Sequence, residues 1–109
     1  MKSTKPLMVY TNSRLSTGDL VIHPNDGFDL GLMHNRYPVD VHLKVHSLMP
    51  ETDTLPVPGE IHLSNACRSG TLEVSQRQWE MMHKQEQVIL AIKDKDIFIV
   101  SNKTISKVM

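Results

Sequence analysis

The sequence has a single cysteine in 109 residues, Cys67, which excludes an internal disulfide. A small chain without disulfides is typical of a reducing compartment, so the sequence predicts a cytoplasmic protein. It also lacks any apolar run of the roughly 20 residues that a membrane-spanning helix needs. The opening letters, MKSTKPLMVYTNS, lack the apolar stretch of a signal peptide. We therefore expect no membrane insertion.

An excess of charge is absent as well, because twelve Lys and Arg residues balance twelve Asp and Glu residues. This balance argues against the global positive field of a nonspecific nucleic-acid binder. Bases nonetheless lie near both ends of the chain, which keeps a nucleic-acid or polymerase-associated module as an alternative. These bases are Lys2, Lys5, Arg14, Lys103 and Lys107.

Reactive motifs are missing too. The sequence contains no pair of carboxylates in one motif, no cysteine pair and no glycine-rich phosphate loop. We therefore predict that the protein is not an enzyme and has no cofactor. Cys67 with one of the six histidines could form a nucleophile and its base, so a small Cys-dependent hydrolase is a further alternative.

The histidines do not predict a metal site. His42 and His46 lie on one predicted strand, where four residues span about 13 Å. That separation is too large for one ion, whose bonds to nitrogen are about 2.0 to 2.1 Å. His42 and His62 could approach each other on neighbouring strands, but the sequence indicates no third ligand.

What the sequence does contain is the alternating pattern of β-strands. The clearest strand covers residues 38–48, with Val39, Val41, Leu43 and Val45 on one face and polar residues on the other. Further strands are predicted over residues 7–10, 19–23, 28–33, 60–64, 72–74, 88–92 and 97–100. The last two are continuous apolar runs, so we expect this hairpin to be buried on both faces at the centre of the fold.

Turns and one helix connect these strands. Pro24 to Gly27 has the composition of a hairpin turn, which makes 28–33 a returning strand. Ser75 with Gln78 fits a capping box, which predicts a helix over 76–85. Residues 48–58 contain three prolines and are predicted to be a surface loop, and residues 1–6 are expected to be frayed.

Together these patterns predict one domain over residues 1–109. Its fold class is mainly β: a small antiparallel β-barrel, or a sandwich-like relative of one, with about six or seven strands and one short packed helix.

Two stretches resemble known families. GDLVIHP at residues 18–24, followed by Gly27, resembles the opening of SH3-like barrels of the KOW and CarD kind. Arg36 before the alternating VDVHLKV strand, with NACRSG at residues 65–70, resembles the PilZ domain. In that family an R-x-x-x-R element and a D/N-x-S-x-x-G turn form a site for cyclic di-GMP.

The PilZ resemblance implies a ligand-binding site at Arg36, Asn65, Arg68 and Gly70. Two positions depart from the family pattern, since Leu32 and Cys67 stand where the family has arginine and serine. Leucine can neither grip a phosphate nor stack on guanine. Family members with such departures are expected to act through protein contacts.

We therefore predict a non-enzymatic binding or adaptor domain that acts on a protein partner. A PilZ-like cyclic-dinucleotide sensor is the first alternative, beside the nucleic-acid module and the hydrolase. The binding edge is expected at the turn over residues 65–70 and on the polar face of the 38–48 strand.

Overall fold

The computed structural model describes residues 2–44 and 56–101. This part of the chain forms eight strands and two short helices. In chain order these are β1 Lys2–Ser3, β2 Leu7–Thr11, β3 Asp19–Ile22, α1 Pro24–Asp29, β4 Arg36–Lys44, β5 Val57–Leu63, β6 Thr71–Val74, α2 Gln76–Met81, β7 Gln87–Lys93 and β8 Asp96–Ser101.

Seven of the strands close into a barrel. Their order is β7, β2, β6, β3, β5, β4, β8, and β8 pairs again with β7. The interior is filled by fully buried aliphatic side chains from every strand of the barrel; among them are Leu7, Leu20, Val41, Ile61, Leu72, Leu90 and Ile99. The predicted fold class, a small and mainly β barrel of six or seven strands with a short helix, is confirmed.

The strands are not all antiparallel. β2 pairs with β6, β3 with β5 and β4 with β8 in the parallel sense, whereas the other pairs are antiparallel. A parallel pair requires the chain to cross from one end of the barrel to the other between its two strands. The alternation of apolar residues reports which face is buried but not the direction of the neighbouring strand, so the sequence did not indicate these pairs.

The structure has a helix where a turn and a strand were expected. The prediction of a strand over 28–33 is wrong, because Pro24 opens α1 and residues 30–35 continue without regular strand structure. Proline suits the first position of a helix, where its missing N–H has no partner anyway. The Nδ1 atom of His23 caps the helix by accepting from the Asn25 N–H at 3.0 Å. Asp26 adds the acidic residue that a first helical turn favours.

α2 begins as predicted and ends earlier. The Ser75 Oγ accepts from the Gln78 N–H at 3.0 Å, which confirms Ser75 as the N-cap. The Gln78 side chain does not return to Ser75; it is fully buried, and its Oε1 accepts from the Gly18 N–H at 3.1 Å. The helix stops at Met81 rather than at residue 85, because His83 and Lys84 both have positive φ and turn the chain away.

The β7–β8 hairpin lies in the barrel wall. Val88, Leu90, Ile97 and Ile99 are fully buried, and the residues between them are for the most part partly exposed. The prediction that this hairpin is buried on both faces is therefore wrong. In a barrel wall each strand presents only one face to the core, so an uninterrupted apolar run does not imply burial on both faces.

β4 follows the predicted alternation. Val39 and Val41 are buried, whereas Asp40 and His42 are partly exposed. Residues 45–48 of the predicted strand and 48–55 of the predicted loop lie outside the described residues. The end of that predicted loop, residues 57–58, belongs to β5.

The N-terminal residues are paired rather than frayed. Lys2 and Ser3 lie opposite Ile92 and Ala91 of β7. Thr4 is buried and forms two hydrogen bonds with Leu90: its N–H donates to the Leu90 oxygen at 2.8 Å, and its Oγ1 accepts from the Leu90 N–H at 3.1 Å. A threonine hydroxyl thus continues the pairing with β7 in the stretch that joins β1 to β2. Neither described helix has the length and apolar character needed to cross a bilayer.

Two glycines allow the parallel pair of β3 and β5. Gly18 has φ +97°, and a Cβ added there would lie 2.6 Å from the carbonyl oxygen of Pro58. A Cβ added to Gly59 would overlap the carbonyl oxygen of Gly18. The two backbones are therefore in direct contact where β3 begins beside β5.

We expect Gly59→Ala to lower the free energy of unfolding by about 3 kcal/mol, because a methyl group cannot enter this backbone contact without moving a strand. Urea unfolding measures the effect. Gly70→Ala is the matched control: an added Cβ there meets nothing within 4 Å, and only the positive φ of +86° is unfavourable. That control should lose about 1 to 2 kcal/mol. Equal losses in the two variants would contradict the importance of the contact.

Candidate functional site

The turn that carries three of the predicted site residues follows β5. Gly70 is held by its backbone: its N–H donates to the Asp26 Oδ2 at 2.8 Å, and its oxygen accepts from the Met8 N–H at 2.9 Å. Asn65 and Arg68 are exposed at the surface of the same turn. The structure therefore joins this turn to α1 through a residue, Asp26, that the sequence did not single out.

Arg36 begins β4 and lies opposite His62 of β5. Its exposed side chain places Nε 3.9 Å from the Glu60 Oε1, which also lies 3.3 Å from the His62 Nε2. Arg36 is thus part of a surface group on β4 and β5. Leu32, at the position of the first arginine of the PilZ pattern, is 7% exposed and belongs to the core. The cyclic di-GMP site stays a prediction.

A cleft opens between α1 and the turn. Its volume is about 460 Å³. We call it the α1–turn cleft, and its lining residues are Lys5, Pro6, Asn25, Asp26, Phe28, Asp29, Ser69 and Gly70. Of the four predicted site residues, Gly70 lines this cleft, and Arg36, Asn65 and Arg68 do not.

The cleft is built on a fixed helix. The His23 cap holds the first turn of α1, and Asp26, a residue only 6% exposed, ties that turn to Gly70 through its carboxylate. Gly27 packs against Leu63 so closely that an added Cβ would lie 2.6 Å from Leu63 Cδ2. On this helix Phe28 is 72% exposed. The Phe28 side chain is therefore exposed to solvent, whereas the helix that carries it is fixed by its contacts with Gly70 and Leu63.

The sequence did not identify Asp26 and Phe28, since it assigned them to a turn and a strand. One signal was present. Proline followed two residues later by an acidic residue is a helix start, and that interpretation would have placed both residues on α1.

Cys67 is buried in the turn. Its Sγ lies 3.2 Å from the Thr71 Oγ1 and 3.7 Å from the Val21 oxygen. Burial raises the pKa of the Cys67 thiol, and the hydrogen bond with Thr71 only partly offsets this. A raised pKa keeps the thiol protonated at neutral pH, so it is a poor nucleophile.

The histidines within the described residues lie in separate contacts. The His42 Nε2 is 2.8 Å from the Asp96 Oδ1, and its ring stacks on Phe98 with centroids 4.8 Å apart. His62 contacts Glu60 instead. Across residues 2–44 and 56–101, no three His, Cys, Asp or Glu side chains are grouped so as to hold a metal ion. His46 lies outside those residues.

The three described bases among those proposed for nucleic acid do not share one surface feature. Lys5 lines the α1–turn cleft, Lys2 lines a separate cavity beside the β7–β8 turn, and Arg14 lies exposed in the loop between β2 and β3. Lys103 and Lys107 lie outside the described residues. The nucleic-acid module stays a prediction.

Comparison of the chain with protein-family models, curated proteins and solved structures gave no match. The assignment of a role therefore depends on the geometry described above.

We expect iodoacetamide to alkylate native Cys67 at pH 7 at least about tenfold more slowly than the chain in urea, because the raised pKa and burial both reduce the available thiolate. Mass spectrometry after timed quenching measures the rates. Because folding raises the pKa of Cys67, its contribution to the free energy of unfolding is full below the pKa of the unfolded thiol. That contribution is lost as the pH rises through the pKa of the folded thiol. Equal rates with and without urea would contradict the burial of Cys67.

We expect Asp26→Ala to lower the free energy of unfolding by about 1 to 3 kcal/mol, because the Gly70 N–H loses a charged acceptor. Asp26→Asn keeps an acceptor oxygen and should lose less. Urea unfolding gives the stability, and hydrogen exchange of the Gly70 amide reports the bond itself. Unchanged exchange at Gly70 in the alanine variant would show that the bond does not hold the cleft.

Proposed function

We propose that the protein is a non-enzymatic binding or adaptor module that engages a protein partner through the α1–turn cleft. The observation that carries this proposal is Phe28, which is 72% exposed beside a cleft of about 460 Å³. Fully burying such a side chain contributes about 1.5 to 3 kcal/mol. Aromatic residues and methionine are enriched at the buried centres of protein interfaces.

A second large apolar side chain follows on the same segment. Met33 is 78% exposed. Its backbone is fixed, because the Tyr37 hydroxyl accepts from the N–H groups of Met33 and His34 at 2.7 and 3.0 Å. Groups presented on a fixed backbone lose little conformational entropy on binding, which raises affinity for a given contact.

The charges of the cleft favour a protein over a phosphate-bearing ligand. Asp26 and Asp29 line it with Lys5 as the one basic residue. Two carboxylates against one ammonium repel the phosphates of nucleic acids and cyclic dinucleotides. They attract a segment that carries lysine or arginine, and Phe28 offers a ring face to the same cations.

Two side chains that could take part in catalysis are not available in the cleft, which supports a role without catalysis. Asp26 is engaged by Gly70, and Cys67 does not line the cleft. A cytoplasmic setting belongs to the same proposal, and a buried free thiol is in keeping with a reducing compartment.

Partner capture with matched variants tests the proposal. Phe28→Ala should reduce the amount of the bound partner at least about tenfold, because an interface loses its central aromatic anchor. Tyr10→Ala is the control, since Tyr10 is 54% exposed on β2 and lines neither the cleft nor the cavity at the β7–β8 turn. Quantitative mass spectrometry of proteins retained from host extract by each variant gives the readout.

The proposal fails if the Phe28 and Tyr10 variants retain the same proteins in the same amounts. Circular dichroism of both variants confirms that each is folded before the comparison. A photoreactive phenylalanine analogue at position 28 should in addition crosslink the partner that Phe28→Ala loses.

A further inference from the structure

A second cavity lies apart from the α1–turn cleft. Its volume is about 480 Å³, and it opens where β1, the segment after α1, the beginning of β4 and the β7–β8 turn meet. It shares no lining residue with the α1–turn cleft. We call it the lysine-rimmed cavity.

The floor of the lysine-rimmed cavity is the end of the hydrophobic core. Leu30, Leu32 and Val39 line it and are 3%, 7% and 6% exposed. Ile92 lines it too and packs against the same core. These aliphatic side chains offer water no hydrogen bond, so an apolar group is favoured against them. A cavity of this volume at one end of the barrel is large enough for a small molecule.

The rim is basic. Lys2, Lys93 and Lys95 line the cavity with Asp94 as the single acidic residue. None of the three lysines forms an ion pair within the described residues. The chain as a whole is electrically balanced, so this excess is local. Unpaired ammonium groups at one edge of an apolar cavity attract an anion to that edge.

The rim is also fixed by the fold. Lys2 is held opposite Ile92 in the pairing of β1 with β7. Its Nζ lies against Gly31, where an added Cβ would be 2.6 Å away. The Asp40 N–H donates to the Lys95 oxygen at 2.8 Å and ties the β7–β8 turn to β4. The fold therefore holds the backbone of Lys2 and Lys95 beside the apolar floor, and their side chains extend from there.

We propose that the lysine-rimmed cavity binds an amphipathic carboxylate, such as a medium-chain fatty acid. The hydrocarbon chain lies on Leu30, Leu32 and Val39, and the carboxylate lies among the lysines at the rim. A small inorganic anion leaves the apolar floor empty, and a cationic amphiphile is repelled by the rim. The carboxylate with an apolar chain is the class that satisfies both halves of the cavity.

Titration of the full chain with sodium octanoate tests the inference. Backbone NMR should show saturable shifts at the amides of Gly31 and of residues 93–95, and calorimetry gives the affinity. Each methylene buried on the floor contributes roughly fourfold to affinity. Octanoate should therefore bind at least about tenfold more tightly than acetate, and the rim charge should favour it at least about tenfold over octanamide.

Charge reversal identifies the rim. Lys93→Glu with Lys95→Glu should weaken octanoate binding at least about tenfold, because two attractive charges become repulsive. Both residues are exposed, so the variant should fold. Arg77→Glu, exposed on α2 away from both cavities, is the matched control and should leave affinity unchanged. The inference is overturned by the absence of saturable shifts, by equal affinity for octanamide, or by unchanged binding in the Lys93 and Lys95 double variant.

Discussion

The parallel pair of β3 and β5 is the constraint on which the rest of the structure depends. It exists because Gly18 and Gly59 bring two backbones into contact with no side chain between them. Two parallel neighbours cannot be joined by a short turn. The chain must therefore travel from the end of β3 through α1 and β4 before it can enter β5. We call residues 23–35, which join β3 to β4, the β3–β4 connection.

Both proposed binding surfaces include residues of the β3–β4 connection. Its apolar residues divide between two environments: Leu30 and Leu32 are buried, whereas Phe28 and Met33 are exposed. The buried pair forms part of the floor of the lysine-rimmed cavity. Phe28 stands beside the α1–turn cleft. A connection that the topology requires thus supplies the core with two leucines and the surface with two large apolar groups.

Local sequence patterns predicted the strands that alternate, such as β4, and the Ser75 cap, because these depend on neighbours along the chain. They did not predict the parallel pairs, which depend on residues far apart such as Gly18 and Gly59. α1 was missed for a related reason. Its letters PNDGFD suit a turn as well as a helix, and contacts with Gly70 and Leu63 decide between them.

The same contrast between local sequence patterns and long-range contacts applies to the candidate sites. Gly70 was proposed from a turn motif, which is local, but its hydrogen-bond partner Asp26 lies 44 residues away in the sequence. The lysine-rimmed cavity joins three stretches, around Lys2, Leu32 and Lys95, that no motif connects. A site of this kind forms only when folding brings β1 beside the β7–β8 hairpin.

Although the chain has no net charge, the two cavities described above have linings of opposite charge. The α1–turn cleft has Asp26 and Asp29 against Lys5, and the lysine-rimmed cavity has three lysines against Asp94. Charges act over roughly 10 Å at ordinary ionic strength, so each cavity attracts by its own lining rather than by the total. A chain without net charge can therefore select a cation at one cavity and an anion at the other. Because the two linings share no residue, ligands of opposite charge need not compete.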